Sequence, residues 1–176
     1  MSFAPPRFPS TPSRSRPEDP LPVRAGDRAP GFSLPSRPGE RVDLAEHLGR
    51  DRVVLLFFPL AYSSVCTTEL CAIRDRWSDY EGLDARVFGI SVDSPFVTER
   101  FRRDQRLPFP LLSDFNRDVS RAYGVLYDEF YGLKDVAKRA VFVIGADGVV
   151  RMAWVSEDAD TEPDYEAIHV ALATAP

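Results

Sequence analysis

The apolar run Val53-Val54-Leu55-Leu56-Phe57-Phe58 has no polar alternation, which predicts a strand buried on both faces. Val87-Phe88-Gly89-Ile90-Ser91-Val92 reads as a second such strand. Between them Cys66, Leu70, Ile73, Trp77 and Tyr80 recur at steps of four, three, four and three, which predicts one stripe of a single 3.6-residue helix. Strand, helix and strand at this spacing predict a βαβ unit with parallel strands. Further on, Ser94-Pro95 marks the start of a helix reaching about Gln105. Leu111-Leu112 reads as a short strand and Val119 to Tyr123 as a short helix. Val141 to Ile144 and Val149 to Val155 flank Gly145-Ala146-Asp147-Gly148, the signal of an antiparallel hairpin. Tyr165, Ile168 and Leu172 give a last helix one buried face. The sum is an α/β domain, with a mixed central β-sheet and helices on both faces.

Composition sets the boundaries of that domain. Met1 to Pro22 carries Pro5, Pro6, Pro9, Pro12, Pro17, Pro20 and Pro22 among serines and arginines. Such a stretch has few backbone donors and little to bury, so residues 1–22 read as a disordered tail and 23–176 as one domain. A length of 176 residues is ample for one core and short for two.

Charge and hydropathy then exclude several functions. An apolar share of 44% with 28% charged residues is ordinary globular composition. The 22 basic against 27 acidic residues give a net charge of −5, with no basic cluster to neutralise phosphates, so nucleic acid is not expected as a partner. The run Val53 to Ala61 is too short to span a bilayer, and no membrane partner is expected. Nothing at the N-terminus has the apolar stretch of a secretory signal. The chain has 2 cysteines, too few for a secreted disulfide scaffold, so the cytoplasm with a redox or catalytic cysteine pair is the expected setting.

The chemistry concentrates in Pro59-Leu60-Ala61-Tyr62-Ser63-Ser64-Val65-Cys66-Thr67-Thr68-Glu69-Leu70-Cys71. Here a buried strand turns into a helix, and Cys66 falls in the first helical turn, where unpaired N–H groups and the positive dipole end favour an anion. A thiolate is such an anion, and helix starts are a recognised setting for reactive cysteines. Position alone also admits an inert, buried cysteine. Ser63 reads equally as an ordinary helix cap, Arg139 as a surface charge beside Lys138, Glu69 as a solvated first-turn acid and Pro59 as a strand end.

Pro59, Ser63 and Cys66 match the P-x-x-x-(T/S)-x-x-C signature of peroxiredoxins. Phe57 to Ala61, Phe109-Pro110-Leu111-Leu112-Ser113-Asp114 and Ala122-Tyr123-Gly124-Val125 resemble that family too, so the similarity runs from about Val23 to Leu172. The chain resembles the alkyl hydroperoxide reductase E branch and, in its C-x-x-x-x-C spacing, the Q-type (bacterioferritin-comigratory protein-like) branch. The resemblance implies a thioredoxin-like fold and a thiol peroxidase acting on hydrogen peroxide and organic hydroperoxides, without cofactor or metal. It implies that Cys66 is the peroxidatic nucleophile and Cys71 the resolving thiol, their intramolecular disulfide being recycled by thioredoxin or a similar dithiol. Ser63, the Cys66 amide and Arg139 would hold the peroxide, Pro59 would shield the thiolate and Glu69 would orient Arg139. A monomer and a homodimer are both open. Full ionisation of a thiol that is already a few per cent thiolate adds only about thirtyfold in rate. The remaining acceleration must come from donors on the peroxide oxygens.

Rival chemistries fit less well. A disulfide carrier of the thioredoxin kind wants C-x-x-C. His47 and His169 lie far apart without ligand spacing, and neither is an obvious base for a cysteine hydrolase. From another class, a non-catalytic thiol redox sensor or binding module could use the Cys66/Cys71 pair as a switch.

Overall fold

The computed structural model describes residues 20–175. The strands in chain order are β1 (Ser33–Arg37), β2 (Glu40–Asp43), β3 (Arg52–Phe57), β4 (Ala85–Ser91), β5 (Leu111–Ser113), β6 (Leu126–Phe130), β7 (Leu133–Ala137), β8 (Ala140–Ile144) and β9 (Val150–Val155). The helices are α1 (Ser64–Asp75), α2 (Trp77–Glu81), α3 (Pro95–Asp104), α4 (Asp118–Ala122) and α5 (Tyr165–Thr174), with a 3-10 turn at Leu44–Glu46. The central sheet has five strands in the order β5-β4-β3-β8-β9. β3 runs parallel to β4 and antiparallel to β8, so the sheet is mixed and the βαβ reading holds.

Because β3 is central, its side chains feed two cores in alternation. Val53, Leu55 and Phe57 join Phe88, Ile90, Leu112, Val119 and Tyr123 on one face. Val54, Leu56 and Phe58 join Cys66, Leu70, Ile73, Tyr80, Phe101, Ile168 and Leu172 on the other. The second face therefore carries α1, α2, α3 and α5, while the first is covered by α4 and the N-terminal segment. Among the described residues no helix is long and apolar enough to cross a membrane.

Two features differ from the sequence reading. The stripe from Cys66 to Tyr80 is divided between α1 and α2, because Arg76 at φ −107° and ψ 19° interrupts the helix. Past that break Trp77 stacks on Phe109 with ring centroids 5.6 Å apart. Two antiparallel hairpins, β1-β2 and β6-β7, carry no apolar period, since most of their residues are exposed or half-buried. Their turns announce them better: Gly39 has φ +83°, and Tyr131 and Gly132 have φ +51° and +78°.

The folded unit reaches slightly beyond the expected boundary. The Val23 N–H donates to the Tyr123 carbonyl at 3.2 Å, and Leu21 and Pro22 cross the backbone of Gly124. The rest of the expected tail, residues 1–19, lies outside the described residues. Gly124 has φ +69°, and a Cβ there would sit 2.6 Å from the Pro22 Cα. Gly39 has a similar backbone, with nothing within 4 Å of its would-be Cβ. Gly39→Ala should therefore cost only the left-handed backbone penalty, about 1 kcal/mol. Gly124→Ala should cost on the order of 2–3 kcal/mol, because Pro22 must also move. Denaturant unfolding of both variants checks this, and equal losses would show that Pro22 does not press on Gly124.

Candidate active site

β3 delivers the chain to the site. Beyond Phe57, Phe58 and Pro59 remain buried, and the Phe58 N–H still donates to the Ile90 carbonyl at 3.0 Å. The connection to α1 is then tied to the end of β4 by Asp93. Its Oδ2 accepts the Ala61 N–H at 2.8 Å and the Ser91 hydroxyl at 2.9 Å, and its carbonyl accepts the Ser113 hydroxyl. Sequence reasoning passed over Asp93. The available signal was an acid just past the carboxyl end of a buried parallel strand, where open α/β sheets place their functional loops.

Cys66 lies in the first turn of α1 and is fully buried. The first helical hydrogen bond runs from the Thr67 N–H to the Ser63 carbonyl at 3.0 Å. The amides of Ser64, Val65 and Cys66 thus precede it without an intrahelical acceptor.

The register of the sheet brings Arg139 to this point. β8 is antiparallel to β3 and Ala140 pairs with Phe57, so β8 begins where β3 ends. Arg139, immediately before β8, is 1% exposed. Its Nη2 donates to Cys66 Sγ at 3.4 Å, its Nη1 to Glu69 Oε2, and its Nε and Nη2 to the Ala159 carbonyl at 3.0 and 2.8 Å. Glu69 stands three residues after Cys66, on the same face of α1.

One cation therefore serves two acidic groups away from water. Burial pushes the Glu69 carboxyl up to about 7, against the pull of Arg139 and with the charge of Glu162 acting in the same direction as burial. Glu69 Oε1 is buried with no hydrogen-bond partner among the described residues. Arg139 is held protonated: burial opposes its charge, but Glu69 and Cys66 outweigh it and shift its pKa upward.

The remaining predicted residues divide. The structure brings Cys66, Glu69 and Arg139 into direct contact. Arg139 is not a surface charge, and Glu69 is neither solvated nor in the first turn of α1. Ser63 is the N-cap residue but makes no side-chain capping bond; it is exposed, and its hydroxyl has no partner among the described residues. Pro59 is buried at the strand end. Cys71 is half-buried, with Sγ 3.7 Å from Gln105 Oε1, and both cysteines are free. His47 is bonded to Asp51 at 2.8 Å, and no cluster among the described residues could hold a metal ion.

Comparison with known proteins agrees on one family. The AhpC/TSA family model matches residues 25–153. The peroxiredoxin Bcp of Escherichia coli K12 is 36% identical over 149 residues, covering 84% of this chain and 94% of its own. The chloroplastic 2-Cys peroxiredoxin BAS1 of Spinacia oleracea is 32% identical over 148 residues, covering 78% of this chain and 54% of its own. The crystal structure of peroxidoxin BcpB from Mycobacterium tuberculosis superposes with a TM-score of 0.75 at 31% identity, covering 85% of this chain and 96% of that one.

The Glu69 carboxyl sets a pH dependence of stability. Its ordinary value is 4.5 and its folded value about 7, so within that window the folded protein holds a proton that the unfolded chain has released. The contribution is fully present below the lower value and is lost as pH rises through the upper one. Glu69→Gln removes this slope, so its Tm relative to the parent should rise from pH about 5 to about 8. A constant Tm difference across that range would mean that Glu69 is ionised in the folded protein throughout.

Proposed function

Since this chain belongs to the AhpC/TSA family and is a thiol peroxidase of the peroxiredoxin kind, we propose that Cys66 is its peroxidatic nucleophile and Cys71 its resolving thiol. The observation that carries the reading is the Arg139 Nη2 contact with Cys66 Sγ at 3.4 Å, between two buried side chains. A guanidinium there stabilises the thiolate and stays in reach of the peroxide oxygens as charge develops on them. The thiolate attacks the terminal oxygen of a hydroperoxide, hydrogen peroxide or an organic one. The O–O bond breaks, Cys66 becomes a sulfenic acid, and the leaving oxygen takes a proton to depart as water or an alcohol. The Cys66 amide, which has no intrahelical acceptor, and the Ser63 hydroxyl, unpartnered among the described residues, supply further donors, and Pro59 keeps water from the sulfur. Glu69 orients Arg139.

The second step meets a geometric obstacle. Residues five apart on a helix are about 8–9 Å between Cα atoms and point about 140° apart, whereas a disulfide needs Cα atoms within about 7 Å. Cys66 and Cys71 share α1, so its first turns must unwind before Cys71 can attack the sulfenic sulfur and displace its oxygen as water. A thioredoxin-type dithiol then reduces the disulfide and restores both thiols.

Three measurements test these roles. Cys66→Ser should abolish peroxide reduction. Cys71→Ala should keep the first oxidation, seen as a sulfenic acid by mass spectrometry, and lose steady-state turnover with thioredoxin. Full turnover in the Cys71 variant would remove that residue as resolving thiol, and a parent that oxidises once without turning over would be a sensor. Arg139→Ala should lower the rate constant of the first oxidation by about 2–4 kcal/mol in barrier, the magnitude seen when one charge-stabilising donor is lost. An unchanged rate constant by stopped-flow mixing with hydrogen peroxide would sink the Arg139 assignment.

A further inference from the structure

The C-terminal end of α3 touches the chain on both sides of the segment that resolution must unwind, just before α1 and at Cys71 and Arg74 within it. Tyr62, two residues before α1, has φ +64°, a left-handed backbone that is unfavourable for an aromatic residue. It is 52% exposed, so burial does not hold it there. What holds it is α3: the ring lies 4.8 Å from the buried Phe101 ring, and the hydroxyl donates to Asp104 Oδ2 at 2.9 Å. Asp104 is itself fixed by Arg100 one turn earlier. The next residue, Gln105, caps α3 and grips the far end of the segment. Its Oε1 lies 3.7 Å from Cys71 Sγ, a separation suited to a thiol donating to oxygen, and its carbonyl accepts Arg74 Nη1 at 2.7 Å.

We propose that Asp104 and Gln105 form a latch on α1 that sets the rate of the resolving step, with Gln105 as the positioning residue for Cys71. This inference rests on the reading of Cys71 as the resolving thiol. While the latch is closed, Gln105 Oε1 accepts a hydrogen bond from the Cys71 thiol, which holds that sulfur turned away from Cys66. Opening breaks the Cys71 and Arg74 contacts to Gln105 and frees Tyr62 from its left-handed backbone. The strain at Tyr62 thus favours opening, and Asp104 opposes it. Neither residue is hydrogen-bonded or ion-paired to Cys66 or Arg139, so the latch should leave the first oxidation alone.

The test separates the two steps in the full chain. Gln105→Ala and Tyr62→Phe should each leave the rate constant of Cys66 oxidation by hydrogen peroxide unchanged, which also shows that the variants fold. Each should speed disulfide formation, Gln105→Ala by about three- to tenfold, the range expected for one lost neutral hydrogen bond, and Tyr62→Phe by at least as much, because its lost bond is to a carboxylate. Each should lower the fraction of Cys66 found as sulfinic acid by mass spectrometry after excess peroxide. Gln105→Glu keeps an acceptor oxygen at that place and should not exceed the parent rate. A parent that forms the Cys66–Cys71 disulfide, with both Gln105→Ala and Tyr62→Phe matching it in the second step, would overturn the latch alone. A parent that never forms that disulfide would overturn the assignment of Cys71 and the latch with it.

Discussion

A guanidinium that is 1% exposed constrains this molecule more than any other group. Removing a charge from water costs several kcal/mol, which is recovered only if every donor finds an acceptor in good geometry. Arg139 draws its acceptors from separate parts of the chain: Glu69 and Cys66 from α1, and the Ala159 carbonyl from the segment after β9. Its own backbone carbonyl accepts the Ser156 N–H at 2.9 Å, which ties that same segment to the start of β8. The reactive sulfur is therefore part of the solvation shell of a buried ion. Misplacing α1 would strip the guanidinium of two partners at once, so docking of the helix and assembly of the site are one event.

The sheet makes that event possible. A β-hairpin or a parallel connection could put an arginine near a strand end in many ways, but pairing of Ala140 with Phe57 leaves one residue of freedom. A slip of one residue would turn Arg139 to the opposite face of the sheet. The apolar runs of β3 and β8 would stay apolar on either face, so what guards against this is the buried ion, which would lose Glu69 and Cys66. Register in the core thus becomes geometry at the site.

How much of this was legible in the sequence follows from the same physics. Central strands, the parallel crossover, α3, the β8-β9 hairpin and α5 rest on unbroken apolar runs, on helical periods or on turn residues, and each is visible in a single segment. β1, β2, β6 and β7 pack few side chains and left no period to read. At the site, the placing of Cys66 at a helix start needed only the strand-to-helix transition. The burial of Arg139 and Glu69 did not follow from their own surroundings, since a charged residue beside Lys138 or among threonines reads as solvated. Only contact between segments 70 residues apart cancels their charges, and one sequence shows such a contact only through resemblance to a family. The contacts of Asp93 to Ala61 and Ser113 were hidden for the same reason, although its place just past a buried strand was in view.

The first turn of α1 is built to be weak. Ser64, Val65, Cys66, Thr67 and Thr68 are all indifferent helix formers, and two of them, Thr67 and Thr68, return their hydroxyls to the carbonyls of Ser63 and Ser64 at 2.8 and 3.1 Å. The N-cap serine leaves its capping role unfilled, and no acidic residue in the first turn complements the dipole. A stable α-helix would reverse each of these choices. What secures the turn instead is tertiary: the Arg139 contact to Cys66 within, and Leu70 and Ile73 in the core one and two turns later. On the proposed reading, oxidation of Cys66 alters the inner contact directly, because the new oxygen stands on the sulfur that Arg139 touches. On that reading, the chemistry of the first step removes part of what holds the helix closed for the second. A helix with strong intrinsic propensity would keep its first turn after that loss, and the two sulfurs would stay on opposite sides of it.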